Sequence, residues 1–261
     1  MQEPTALFSI RGKTALVTGG AQGMGRMIAE GLVRAGATVY ITSRKAEVCE
    51  RAAREMGAFG QCFALPGELT APEDVAALAK RLGEHVQALH ILINNAGRTW
   101  GAPLESFPDK AWAGVMAVNV QTPFTLVRDL LPLLKAAADP SDPARVINIG
   151  SLAGRAVEKL SAYSYAASKA AIHHLTRVLA ADLAQFHIAV NTVAPGYFPT
   201  QMTSHIQADE QSLEALEARI PLQRLGSGPD IAGTCIFLAS RASAYITGAE
   251  IPVDGGMSGC R

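Results

Sequence analysis

A single doubly wound α/β domain is predicted by three features of this chain. Short Val- and Ile-rich runs alternate with stretches of helical periodicity from Lys13 to Val253. A glycine-rich turn joins the first run to the first helix. No repeat, low-complexity tract or linker divides the 261 residues. Strands separated by helices require crossover connections, and so a parallel sheet covered on both faces.

Seven strands are expected: Thr14–Thr18, Thr38–Thr42, Gln61–Leu65, Leu89–Asn94, Arg145–Ile149, Ala189–Val193 and Glu250–Val253. Helical spacing of apolar residues marks Gly25–Ala35, Pro72–His85 and Tyr165–Gln185, with a further helix near Pro229. Asp139–Pro143 reads as a loop, because a strand signal follows at once. Residues 196–225 exceed an ordinary connection and lie after the sixth strand. A long insertion at the carboxyl edge of such a sheet is expected to act as a substrate-side lid. The whole of 1–261 is expected to form one domain.

Charge and composition exclude several classes. The 23 basic and 23 acidic side chains cancel, so no long-range field favours nucleic acid or an anionic membrane. Cys49, Cys62, Cys235 and Cys260 form no Cys-x-x-Cys pair and are expected to be free thiols of a reducing compartment. His173-His174 is read as helix surface rather than a metal site, and no metal is expected. No apolar run reaches the ~18 residues that span a bilayer. The first residues lack a basic stretch followed by an apolar one, so no signal peptide is expected and the location is read as cytoplasmic.

Chemistry enters at Tyr165-Ala-Ala-Ser-Lys169. On a helix this spacing stacks the phenol and the ammonium on one face. The ammonium is expected to favour the phenolate and lower the phenol pKa, fitting the tyrosine for proton transfer to or from an alcohol oxygen. The turn Thr18-Gly19-Gly20-Ala21-Gln22-Gly23-Met24-Gly25 lets an anionic pyrophosphate approach the backbone at a helix N-terminus. After the second strand stands Thr42-Ser43-Arg44-Lys45, with no acid before Glu47. A carboxylate there would bind a ribose 2′-hydroxyl, whereas a guanidinium suits a 2′-phosphate. NADP(H) is therefore expected over NAD(H), and the chain is expected to be a nicotinamide-dependent oxidoreductase.

These motifs, in this order, resemble the short-chain dehydrogenase/reductase family along nearly the whole chain, from Gly12 to Gly256. The family's Thr-Gly-x-x-x-Gly-x-Gly matches Thr18 to Gly25, and its Asn-Asn-Ala-Gly matches Asn94 to Gly97. Its catalytic asparagine, serine, tyrosine and lysine match Asn119, Ser151, Tyr165 and Lys169. The resemblance implies a Rossmann-type fold with Tyr165 as acid or base and Ser151 as donor to the substrate oxygen. Lys169 would bind the nicotinamide ribose, and Asn119 would hold local helix geometry and a water leading to Lys169. It further implies cofactor contacts at Gly19, Gln22, Gly23, Met24, Gly25, Ser43, Arg44, Lys45, Glu68, Leu69, Asn95, Ala96, Gly97, Pro195, Gly196, Phe198 and Thr200.

Three positions depart from the usual pattern. Gln22 stands where many NADP-using relatives carry Arg or Lys, and Glu68 follows an unusual Pro66-Gly67 where an Asp is customary. Ser151 precedes Tyr165 by fourteen residues rather than thirteen, a difference that loop Ala153–Ala162 is expected to absorb.

The expected substrate wall is Leu152, Val157, Leu160, Tyr163, Tyr197, Met202 and Ile206, apolar enough for a hydrophobic carbonyl compound. Arg145–Ser151 and Tyr197–Met202 resemble the bacterial β-ketoacyl reductases, including those associated with rhamnolipid precursors. That resemblance implies reduction of a 3-oxoacyl thioester. Similar motifs serve dehydrogenases of steroids and polyols, and a dinucleotide-sensing protein without turnover is the remaining alternative. Small residues Ala166, Ala167, Ala170 and Ala171 permit close helix packing, and the resemblance implies a homodimer or homotetramer.

Overall fold

The computed structural model describes residues 4–158, 161–200 and 209–260. Its elements, after a helical turn at Pro4–Leu7, follow the predicted alternation. They run β1 (Thr14–Thr18), α1 (Gly23–Arg34), β2 (Thr38–Thr42), α2 (Ala46–Gly57), β3 (Cys62–Ala64), α3 (Pro72–His85) and β4 (Ile91–Asn94). Then come α4 (Lys110–Met116), α5 (Thr122–Asp129), α6 (Leu131–Ala137), β5 (Ala144–Ile149), α7 (Tyr163–Leu183), β6 (Ile188–Pro195), α8 (Glu210–Glu217), α9 (Gly228–Ala239) and β7 (Glu250–Val253). A π-helical stretch, Ala117–Gln121, interrupts the passage from α4 to α5.

All seven strands pair in parallel in the order β3-β2-β1-β4-β5-β6-β7. The order reverses between β1 and β4, and the crevice at such a switch point, beyond the strands' carboxyl ends, is where ligands bind in this architecture.

Alternation along the strands divides the core into two layers. Ala15, Val17, Val39, Ile41, Ile91, Ile93, Ile147 and Ile149 face one side, where Ile28 and Leu32 of α1, Met56 of α2 and Leu238 of α9 cover them. Leu16, Tyr40, Leu92, Val146 and Val190 face the other, against Leu78 and Leu82 of α3, Leu126 of α5 and Leu183 of α7. Burying each Val, Leu, Ile or Met among them contributes about 1.5–3 kcal/mol. Both faces being apolar explains why the strands read as continuous hydrophobic runs.

Boundaries differ by a few residues where neighbours decide pairing. The predicted Gln61–Leu65 shortens to Cys62–Ala64 at the sheet edge, whereas the sixth strand lengthens to Pro195 because β7 pairs with its last residues. Asp139–Pro143 is a loop carrying an isolated bridge between Asp139 and Asp142. Among the described residues no helix is long and apolar enough to cross a membrane.

Candidate active site at the switch point

Register brings the site together. Thr18 of β1 pairs with Thr42 of β2, so the two chains leave the sheet side by side, and the Gly20 N–H donates to the Thr42 carbonyl at 3.1 Å. The Thr18 hydroxyl accepts from the Asn95 and Ala96 N–H groups, each at 2.9 Å. The Asn95 side-chain amide donates back to the Thr18 carbonyl at 2.9 Å. The crevice between β1 and β4 is thus fixed by hydrogen bonds before any ligand enters.

Its floor is a cradle of bare backbone. Gly23 sits at φ +52° at the first residue of α1, a conformation costly for other residues. A Cβ on Gly25 would lie 2.3 Å from both the Gly19 carbonyl oxygen and the Asn95 amide nitrogen. Gln22, the N-cap of α1, makes no side-chain cap bond, leaving first-turn N–H groups and the positive end of the dipole for an anion. Arg44 lies exposed at the rim after β2. These residues fit the pyrophosphate and 2′-phosphate of a dinucleotide.

A continuous groove of about 510 Å³ runs from Arg44 to Tyr165. Every expected cofactor residue but one lines it: Gly19, Gln22, Gly23, Met24, Gly25, Ser43, Arg44, Glu68, Leu69, Asn95, Ala96, Gly97, Tyr165, Lys169, Pro195, Gly196, Phe198 and Thr200. Lys45 is the exception. It is the exposed N-cap of α2, one residue past the point where the chain turns away. The Glu68 carboxylate accepts from the Thr70 hydroxyl at 2.7 Å and the Leu69 N–H at 3.0 Å. Burial would raise its pKa, but those bonds and the charges of Arg44 and Arg98 hold it below the usual value.

The catalytic candidates converge at the other end. Ser151 follows β5, Tyr165 and Lys169 share one face of α7, and all three line the groove. The Ser151 Oγ accepts from the Ala153 N–H at 3.1 Å, leaving the hydroxyl proton to be donated elsewhere. Asn119 is buried in the π-helical stretch, where a widened turn aims its side chain at two neighbours. Its Oδ1 accepts from the Arg98 N–H at 2.7 Å, and its Nδ2 donates to the Arg98 carbonyl and the Ser168 hydroxyl, each at 2.9 Å. Asn119 therefore clamps the segment after β4 to the active-site helix.

The electrostatics correct one expectation. Burial pushes the Tyr165 phenol up, and the Ser151 hydroxyl opposes that rise. The Lys169 ammonium is turned toward the Ile149 carbonyl, to which it donates at 2.7 Å, with Nζ 5.6 Å from the tyrosine ring centre. Burial lowers the lysine to about 8. In this arrangement the phenol is held protonated, the form a proton donor needs.

The substrate wall was only partly legible. Leu152 is buried in a small cluster with Leu216, Ile220 and Met257, so it packs under α8 instead of facing the groove. Val157 is 95% exposed. The Tyr197 hydroxyl donates to Glu158 at 3.0 Å, and burial foremost, with that carboxylate, pushes its pKa up to about 12. Arg219 closes the same carboxylate at 3.1 Å. Tyr163 stacks edge-on against Phe107, which in turn meets Trp112. Leu160, Met202 and Ile206 lie outside the described residues.

Sequence reasoning missed Arg98 and Val118, which line the groove, and misplaced His173. Arg98 directly follows the Asn-Asn-Ala-Gly segment, a positional signal available from the start. His173, expected on the helix surface, is buried beneath the Ser151 loop, while His174 is exposed. Lys169 and His173 share the same four-residue spacing that singled out Tyr165 and Lys169.

Comparison with known proteins accords with this geometry. A family profile described as Enoyl-(Acyl carrier protein) reductase matches residues 19–258. The chain is 50% identical over 249 residues to the rhamnolipids biosynthesis 3-oxoacyl-[acyl-carrier-protein] reductase of Pseudomonas aeruginosa, covering 95% of this chain and 97% of that one. It is 36% identical over 254 residues to the 5-keto-D-gluconate 5-reductase of Escherichia coli, covering 96% and 97%. A solved Pseudomonas aeruginosa RhlG/NADP active-site complex superposes with a TM-score of 0.95 at 49% identity, covering 97% of this chain and 99% of that one. The chain belongs to the short-chain dehydrogenase/reductase family.

Proposed function

We propose that this protein is an NADP(H)-dependent oxidoreductase that reduces the ketone of a 3-oxoacyl thioester to a secondary alcohol. The observation that carries the reaction type is the convergence of the Ser151 and Tyr165 hydroxyls on one groove with the buried Lys169. Two hydroxyl donors lining one groove suit a carbonyl oxygen, where negative charge grows as the hydride arrives.

The glycine cradle would hold the pyrophosphate, Arg44 and Ser43 the 2′-phosphate, and Tyr165 and Lys169 the nicotinamide ribose. The bound cofactor supplies the hydride. Ser151 steadies the carbonyl oxygen, and Tyr165 gives its phenolic proton to that oxygen as charge develops. Asn119 keeps the segment after β4 and the active-site helix at fixed separation. Phe198 and the Pro195–Gly196 turn exclude water from one side of the groove.

An apolar acyl chain is favoured over a sugar acid by a group of exposed apolar side chains. Trp100 and Leu104 flank Ala102, whose N–H donates to the Ser161 carbonyl at 3.0 Å two residues before Tyr163, and all three side chains are partly exposed. Exposed apolar side chains gathered on a surface mark a binding site for an apolar ligand. The named activity of the Pseudomonas aeruginosa relative supports the same reading. The proposed substrate-side lid of a single-domain cytoplasmic enzyme is 196–225, of which 201–208 lie outside the described residues. Exposed Trp112, Phe124 and Val178, with Ala167 and Ala170, support a homodimer or homotetramer.

The test is oxidation of NADPH and of NADH, followed by nicotinamide absorbance, with acetoacetyl-CoA, longer 3-oxoacyl thioesters and 5-keto-D-gluconate. NADPH turnover on the thioesters is the expected result. Turnover on the sugar acid alone would replace the substrate class, and binding of NADPH without turnover of any carbonyl compound would overturn the enzymatic reading. Light scattering showing a monomer would remove the oligomer.

A further inference from the structure

We propose that His173 is a positioning residue, holding the backbone of Ser151 so that its hydroxyl stays aligned with Tyr165. This rests on the reductase reading above. His173 lies one helical turn beyond Lys169 and is 5% exposed. Its Nε2 accepts from the Ser151 N–H at 3.3 Å. An accepting Nε2 carries no proton, so the ring proton resides on Nδ1. Nδ1 lies 3.2 Å from Oε1 of Glu250, the first residue of β7.

The negative charge of Glu250 favours a proton on Nδ1, although the two atoms are not aligned for a hydrogen bond. Glu250 is held in place by Arg155 at 3.2 Å and Arg177 at 3.4 Å. Burial foremost keeps the imidazole at about 4, with Lys169, Arg155 and Arg177 adding to the effect and Glu250 opposing it. The ring is therefore neutral near pH 7 and remains an acceptor.

Two glycines make room for it. A Cβ on Gly150 would come within 2.1 Å of His173 Nε2, and one on Gly154 within 2.8 Å of Cε1. The loop carrying Ser151 thus lies directly on the imidazole on both sides of the serine. Because the Ser151 Oγ accepts from the Ala153 N–H, the local backbone fixes where that oxygen sits and so the point from which its proton is donated. A backbone displacement of a fraction of an ångström misdirects that donor, and misplacement on this scale lowers turnover more than binding.

Two variants test the role. His173→Leu fills a similar space without an acceptor, whereas His173→Gln restores one. We expect His173→Leu to lower kcat for ketone reduction about tenfold, the worth of one misdirected hydrogen bond, with the KM for NADPH unchanged. His173→Gln should recover most of that loss. Amide hydrogen exchange should show the Ser151 N–H protected in the wild type and in His173→Gln but fast in His173→Leu. Wild-type kcat in His173→Leu, or a Ser151 amide equally protected in all three proteins, would overturn the proposal. A wild type that reduces no carbonyl compound would defeat the reductase reading, and the exchange experiment would still decide whether His173 holds Ser151. Should His173→Leu fail to fold, full activity together with a fast-exchanging Ser151 amide in His173→Gln would overturn it as well.

Discussion

Lys169 donates from Nζ to the backbone carbonyl of Ile149 at 2.7 Å, joining the active-site helix to the last residue of the interior strand β5. The bond holds an ammonium in a buried place, and burial lowers its pKa from 10.5 to about 8. A base whose folded pKa is depressed binds fewer protons folded than unfolded between those two values. Its cost to stability is complete below pH 8 and disappears as the pH rises toward 10.5. Thermal melts of the wild type and Lys169→Met across that window should show the wild type gaining stability relative to the variant. A difference independent of pH would show that the ammonium is not desolvated as described.

Replacing the proton donor should leave binding intact. Tyr165→Phe is expected to lower turnover at least ~100-fold, the usual worth of a positioned acid, while the Kd for NADPH, read by fluorescence, stays near the wild-type value. Ser151→Ala should cost on the order of 100-fold in kcat, as for other oxyanion donors. Near-normal activity in Tyr165→Phe would remove the acid–base assignment.

Cofactor choice is concentrated at the rim of the groove. Arg44→Asp places a carboxylate where a 2′-phosphate would sit, exchanging attraction for repulsion. The KM for NADPH should rise about tenfold or more, and that for NADH should fall or hold. Equal effects on the two cofactors would show that Arg44 does not read the phosphate.

The glycine turn is a steric requirement. Gly25→Ala would drive a methyl group to 2.3 Å from the Gly19 carbonyl, so the turn must open. We expect loss of NADPH binding with destabilisation of about 1–3 kcal/mol, as for other overpacked sites. Denaturant titration and a binding assay on the same sample separate the two effects.

Pattern along the chain carried the sheet because burial on both faces forces unbroken apolar strands, and four of the helices began or ended within a few residues of their periodic signal. It carried the cofactor groove too, since the glycine turn, Asn95–Gly97 and Pro195–Gly196 each follow a strand directly. It served less well in loops. Leu152, Val157 and Tyr197 are all apolar or aromatic residues near Ser151 or Gly196, yet one is core, one is bare to solvent, and one is tied to Glu158. Nothing in residue type distinguishes those fates, because each is set by what lies across the loop.

The order of motifs by itself determined the architecture, the family resemblance, the four catalytic candidates and the preference for a 2′-phosphate. Each depends on residues that follow a strand directly, on a spacing within one helix, or on the order in which such motifs succeed one another, all of which are written along the chain. Only the tertiary structure decided which way Lys169 points, that Asn119 clamps Arg98 to Ser168, and that His173 lies under Ser151 beside Glu250. These relations join residues from different strands and helices, and their distances exist only once the sheet has closed.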